Sequence, residues 1–138
     1  MFKITNARTH DVNAMDMIEY EPNACYIFDR GYWDLARLFV IDKKNGFFVI
    51  REKKHPEFVI ESADEECDET KGILADQTVR FTVKRNANNY PLPIRRIVYY
   101  SDEIGRSFVY YTNNFYLTAY EIACLYKRRW VVELFLSG

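Results

Sequence analysis

The sequence is short of the residues that build covalent or zinc-tied scaffolds. Its three cysteines, Cys25, Cys67 and Cys124, are odd in number and far apart, with no CxxC pair and no neighbouring histidine. Neither a disulfide framework nor a zinc site is signalled, and a reducing cytoplasm suits the chain. No apolar run approaches the roughly 20 residues needed to cross a bilayer. Met1-Phe2-Lys3-Ile4 also opens without the apolar stretch of a signal peptide, so no membrane association is expected. Internal repeats and low-complexity tracts are lacking too. Charge of one sign is not in excess, because 19 basic and 20 acidic residues leave a formal net charge of -1. Any contact with nucleic acid must therefore come from local basic surface rather than from the field of the whole molecule.

What is present can bury a core. Across 138 residues, 49% are hydrophobic and 17% aromatic, which fits one domain or one domain carrying an insertion. A short strand is expected at 1–5, then a helix beginning after Thr9 or Asp11, either of which can cap it. Cys25-Tyr26-Ile27-Phe28 is a continuously apolar run that suits a strand buried on both faces, and it ends at Asp29. Gly31 offers a sharp turn, after which Leu35, Leu38, Phe39 and Val40 stand in helical spacing within 32–44, before Asn45-Gly46. Five strands are expected next, at 47–51, 57–61, 78–84, 94–100 and 108–112, with 86–93 and 101–105 as turns. Val79, Phe81 and Val83 alternate with polar residues, as in a half-solvated antiparallel strand. Thr118-Ala119-Tyr120-Glu121 has the form of a capping box and opens a last helix running through Glu133.

The acidic segment 61–69 holds six carboxylates. It lacks the ligand order and glycine of a calcium loop and reads as a solvated connection.

Three positions have the composition of a chemical site. Tyr126, Arg129 and Glu133 follow the spacing Y-x2-R-x3-E, and offsets of three and four place them on one helical face. The flanking Trp130, Val131, Val132, Leu134, Phe135 and Leu136 are apolar around the whole helix, so a carboxylate at 133 needs compensation. Either Arg129 pairs with it internally or it ligates a metal. Asp29 ends a buried strand, where ligands gather in α/β sheets, yet a turn-capping aspartate would also stand there. Lys127, Arg128 and Arg129 beside Tyr126 and Trp130 form a basic cluster suited to phosphate, or a merely solvated one.

Taken together, Asp29-Arg30-Gly31-Tyr32, Tyr111-Thr112-Asn113-Asn114-Phe115 and the closing Tyr126-x2-Arg129-x3-Glu133 resemble bacterial insertion-sequence transposases of the DDE class, those with a Tyr-Arg-Glu-Lys signature. The resemblance extends upstream through Thr9-His10-Asp11-Val12 and so covers nearly the whole chain. It implies an α/β fold: a partial ribonuclease H-like core interrupted by a mainly antiparallel β-rich insertion. The corresponding division is 1–45 for the first part of the core, 46–112 for the insertion and 113–138 for the catalytic helix.

By the same resemblance Asp29 matches the second catalytic aspartate and Glu133 the catalytic glutamate, both metal ligands. Tyr126 and Arg129, with Lys127 and Arg128, match a surface holding DNA phosphate. The implied chemistry is DNA strand cleavage and strand transfer assisted by Mg2+ or Mn2+, hard ions that prefer carboxylate oxygen. The implied partners are transposon-end and target DNA, and a second copy in a homodimer of the complete enzyme.

Departures from the family pattern matter equally. Its first aspartate belongs to a strand before Met1, for which Asp11 and Asp16 are poor substitutes, and its lysine would fall at position 140. The chain is therefore expected to be a fragment with two of three metal-binding carboxylates, binding Mg2+ or Mn2+ weakly, inactive alone and prone to self-association. A non-catalytic relative acting as a DNA- or transposase-binding module is the alternative. An unrelated ribonuclease H-like nuclease or resolvase fits the β insertion and the Tyr-Arg-Glu spacing less well.

Overall fold

The computed structural model describes the backbone of residues 2–4 and 12–137 and the side chains of 13–128. Its strands are β1 (Phe2–Ile4), β2 (Cys25–Phe28), β3 (Phe47–Arg51), β4 (Phe58–Ala63), β5 (Ile73–Phe81), β6 (Ile94–Ser101) and β7 (Arg106–Thr112). Its α-helices are α1 (Leu35–Lys43), α2 (Lys84–Asn89) and α3 (Ala119–Ser137). The strands form one mixed sheet in the order β1-β2-β3-β7-β6-β5-β4. β1, β2 and β3 are parallel, whereas β3-β7 and all pairs beyond it are antiparallel.

Residues 47–51 carry an uninterrupted apolar core, Phe48, Val49 and Ile50, fully buried on both faces. That is the signature of an interior strand covered on both faces rather than a half-solvated one, and β3 pairs parallel with β2 and antiparallel with β7. β3 accordingly extends the parallel ribbon, and the sheet runs unbroken from 1–45 into 46–112.

Helices cover both faces. Tyr26, Phe28, Phe48 and Ile50 pack with Leu35, Leu38 and Ile41 of α1 on one side. Cys25, Ile27, Val49, Ile97 and Tyr110 pack under Ile122, Ala123, Leu125 and Tyr126 of α3 on the other. Burial pushes the Cys25 thiol up to about 12. Thiol labelling of the native protein near neutral pH is therefore expected to spare Cys25 and to reach it only after denaturation; rapid labelling of all three cysteines would contradict this packing.

Local departures from expectation have physical causes. The first helix is a 3-10 helix, Val12–Met17. The second begins at Leu35, not at 32, because the chain caps twice. Asp29 first caps a 3-10 turn, Arg30–Tyr32, and Asp34 then accepts the Arg37 N–H at 3.0 Å. α1 ends with Asn45 at φ 62, with Gly46 N–H donating to Ile41 O and Asn45 N–H to Asp42 O, the paired bonds of a Schellman motif.

Residues 86–93, expected as a turn, begin inside α2. Its asparagines are poor helix formers. What anchors them is Tyr90, 1% exposed, whose ring meets those of Phe39, Phe48 and Phe81 edge-on. Val83, read as an inward strand residue, lies past the end of β5 and is 42% exposed.

The capping box forms as expected. Thr118 N–H donates to Glu121 Oε1 at 2.9 Å, and Glu121 N–H donates to Thr118 Oγ1 at 3.1 Å. Thr118→Ala is expected to cost about 1 kcal/mol in chemical denaturation. The Thr118 N–H that donates to it, with the Thr118 side chain beside it, holds the Glu121 carboxyl below its ordinary value. Its contribution is thus present above the unfolded-state value and lost as pH falls through the lowered one. Glu121→Gln should destabilise at neutral pH and match the parent protein in acid; an equal gap at both pH values would contradict the box.

Candidate active site

Asp29 owes its place to strand geometry. Along β2 the side chains alternate, Cys25 and Ile27 toward α3, Tyr26 and Phe28 toward α1. Asp29 remains extended, φ -80 and ψ 173, so the alternation carries it to the α3 face. It is 7% exposed, and its carboxylate accepts the Gly31 N–H at 2.8 Å. The turn-capping role is thus realised.

The sheet register places other residues level with it. Ile27 pairs with Val49 and Phe28 with Ile50, so Arg51 is the next position beside Asp29, and Arg51 pairs with Tyr110. Tyr110 takes the α3 face, where its ring lies 4.8 Å from that of Tyr126. Before α3, the Leu117 carbonyl is held by Arg95, which pairs with Thr112 one step back from Tyr110 on its face. From there to Tyr126 the helix advances toward the sheet end that carries Asp29. Arg129 and Glu133 belong to the backbone of α3, but their side chains lie outside the described residues. Spacing alone puts them on the Tyr126 face, Glu133 two turns on.

The remaining sequence-nominated residues divide by exposure. Tyr126 is 2% exposed and forms part of the core under α3. Lys127 and Arg128 are exposed. Lys127 Nζ lies 2.6 Å from Glu103 Oε1, a partner that raises its ammonium above the ordinary value. Lys127 lines a cleft of about 370 Å³ together with Arg51, Arg106, Phe108, Tyr110 and Tyr126. The Phe108 ring there meets the guanidinium groups of Arg51 and Arg106 at 5.6 and 4.8 Å.

Asp16 is engaged elsewhere, its two oxygens accepting from Arg37 at 3.0 and 2.9 Å. The acidic segment 61–69 is exposed apart from Cys67, and among the described residues no group of three or more His, Cys, Asp or Glu side chains could hold a metal.

Sequence reasoning missed the residues that position α3. The Arg95 guanidinium grips Asp76 at 2.8 and 2.7 Å and donates to the carbonyls of Asn114 and Leu117 at 3.1 and 2.6 Å. The signal available was a pair of adjacent arginines, Arg95-Arg96, in a strand of buried residues, with an aspartate diagonal to the inward one. Asn113 and Asn114 complete the junction. Asn113 accepts from Phe48 N–H and donates to Asp42 and to Gly46 O, while Asn114 Oδ1 accepts the N–H groups of Tyr116 and Leu117. The segment 111–115 thus ties β3, α1 and the approach to α3 together.

A mixed α/β sheet with an acidic strand end facing the last helix is one of the frames on which phosphoryl-transfer sites are built. The chain belongs to the transposase DDE domain family, whose profile, described as "Transposase DDE domain", matches residues 1–137. It is 32% identical over 137 residues to y4zB of Sinorhizobium fredii, a protein named as a transposase, covering 97% of this chain and 38% of that protein. It is 30% identical over 108 residues to a Geobacillus stearothermophilus protein named as the transposase for insertion sequence element IS5377, covering 78% of this chain and 28% of that protein. The chain thus spans well under half the length of these curated relatives. No solved structure gives a significant match. Among the described residues, no helix is long and apolar enough to cross a membrane.

Proposed function

We propose that this chain carries part of the catalytic centre of an insertion-sequence DDE transposase of the Tyr-Arg-Glu-Lys class, acting in metal-dependent DNA strand cleavage and strand transfer. The fold in this reading is a partial ribonuclease H-like core, 1–45 and 113–138, with 46–112 as its β-rich insertion. The observation that carries the reading is the register: Phe28 pairs with Ile50 and Arg51 with Tyr110, so Asp29 follows the end of β2 where Tyr110 meets Tyr126 of α3, on the way to Glu133.

The donor set suits a hard divalent ion, since Asp29 and Glu133 offer carboxylate oxygen. When bound, Mg2+ or Mn2+ supplies activation of water or a 3'-hydroxyl and stabilisation of the leaving oxygen. The chain's own residues do the rest. The Gly31 N–H orients the Asp29 carboxylate. Burial of Asp29 keeps water from competing for it. Arg129 and Arg128 grip DNA phosphate by forked hydrogen bonds, Lys127 adds a point charge, and Tyr126 forms the wall beneath them.

The partners in this reading are transposon-end and target DNA and, in the complete enzyme, a second copy. With two carboxylates, the isolated chain binds Mn2+ weakly and does not cut. Incubation with transposon-end DNA and Mn2+ tests this. The expected result is no cleavage, together with weak Mn2+ binding that depends on Asp29. Robust cleavage abolished by Asp29→Ala would overturn the inactivity, and Mn2+ binding indifferent to both Asp29 and Glu133 would overturn the metal role.

A further inference from the structure

We propose that a basic cleft beyond the C-terminal end of β3, on the face opposite α3, is a second DNA-backbone contact, seating phosphates on Lys53, Lys54 and Arg85 beside Trp33. The proposal rests on the DNA reading above and adds a surface to it. Trp33, Asp34, Lys53, Lys54, Arg85, Asn86 and Asn89 are among the residues lining the cleft, which holds about 270 Å³.

Charge is what singles it out in a chain of net charge -1. Asp34 is the one carboxylate among the lining residues, and it is already committed. Its two oxygens accept from the Arg37 backbone N–H at 3.0 Å and from the Arg37 guanidinium at 2.8 Å. Neighbouring Glu52 also points elsewhere, accepting the Tyr111 hydroxyl at 2.8 Å and lying 3.5 Å from His55 Nδ1. Among the described residues, Lys53, Lys54 and Arg85 have no carboxylate at ion-pair distance. Contrast Lys127, whose charge Glu103 partly offsets.

Three cations without an ion-pair partner among the described residues and an indole, with two asparagine amides that donate as well as accept, form a donor-rich surface with one flat aromatic wall. Phosphate oxygens with adjoining sugars and bases match this set, because they accept hydrogen bonds and offer stacking faces. The Trp33 ring is held for this by an edge-on contact with Tyr111 at 5.2 Å.

Position links the cleft to the candidate active site. Lys53 is three residues beyond Ile50, the partner of Phe28 in the sheet, and Trp33 is four residues beyond Asp29, which follows Phe28. A DNA strand lying in the cleft therefore passes the end of the sheet where Asp29 stands, reached from the side that α3 does not cover.

Anisotropy of a labelled short duplex, titrated with the full chain at several salt concentrations, tests the proposal. The Lys53→Gln/Lys54→Gln/Arg85→Gln variant should lose about 2 to 3 from the slope of log affinity against log salt, and at least about tenfold in affinity at low salt. Its melting temperature should be unchanged, because all three side chains are exposed. Lys43→Gln/Lys44→Gln, which removes charge from the far end of α1, should change the slope less. In a Trp130→Phe background, duplex should quench Trp33. Equal slopes in parent and triple variant, with Lys127→Gln/Arg128→Gln still lowering the slope, would overturn the cleft and leave the DNA reading standing. Equal losses in the Lys43/Lys44 control, or competition by polyglutamate as effective as by DNA, would also overturn it. Failure of the parent chain to bind duplex at low salt would overturn both.

Discussion

Arg95→Ala is expected to lower the melting temperature by about 10 to 15 °C, the equivalent of about 3 to 5 kcal/mol. Arg95 and Asp76 keep only 9% and 14% of their side-chain surface exposed. Removing the guanidinium strands the aspartate without its partner and leaves the carbonyls of Asn114 and Leu117 without the donor that holds them. A lost surface pair would cost about 1 kcal/mol or less, so the size of the effect distinguishes the two situations. Arg95→Lys should recover only part of the loss, since an ammonium cannot hold both carboxylate oxygens and two carbonyls in one plane. Replacing both partners with apolar residues of similar volume should cost less than Arg95→Ala alone. Thermal unfolding followed by circular dichroism checks each; a loss below about 1 kcal/mol for Arg95→Ala would contradict the junction described here. Hydrogen exchange adds the location, because amides at the start of α3 should lose protection first.

The second large effect concerns Asp29. Asp29→Ala should weaken Mn2+ binding by at least about tenfold, the lower end of what even an outer-shell partner contributes to a metal site. Two roles overlap at this carboxylate, because it also caps the turn at Arg30–Tyr32 through the Gly31 N–H. Asp29→Asn separates them. The amide oxygen keeps the cap, so stability should stay within a few tenths of a kcal/mol of the parent protein, whereas alanine loses about 1 kcal/mol. A neutral amide is a poor ligand for a hard dication, so Mn2+ binding should fall in both variants. Asparagine that binds Mn2+ as well as aspartate would reduce Asp29 to its capping role. Isothermal titration and chemical denaturation, run on the same preparations, provide both readings.

Much of the frame was legible from residue patterns, and the reasons differ by element. Cys25–Phe28 is buried on both faces and reads as such, and the Asn45-Gly46 stop works because asparagine tolerates the left-handed φ that the helix end requires. Thr118 and Glu121 announce their own hydrogen bonds. The parallel pairing of β3 was not legible, because a buried apolar strand states its environment but not its neighbour's direction. α2 was hidden by its asparagines, since what orders it is the distant packing of Tyr90 and not propensity. Of the candidate site, Asp29 could be nominated from the strand end that it terminates. Its level with Arg51 and Tyr110 needed the register. Arg95 escaped notice because its partners, Asp76 and two backbone carbonyls, are assembled only by the meander and the junction before α3. Lys53, Lys54 and Arg85 escaped for a related reason: Arg85 stands more than thirty positions after the lysine pair.

Asp29 and Glu133 can share a metal ion only if they face one another across the end of the sheet. A crystal structure of the chain grown with Mn2+, with the ion located by its anomalous scattering, measures this directly. The expected result is carboxylate oxygens of Asp29 and Glu133 within about 8 Å of each other, with Mn2+ between them. Glu133 turned into the apolar packing against Arg129, with Asp29 capping its turn far from it and no ion at either, would contradict the account.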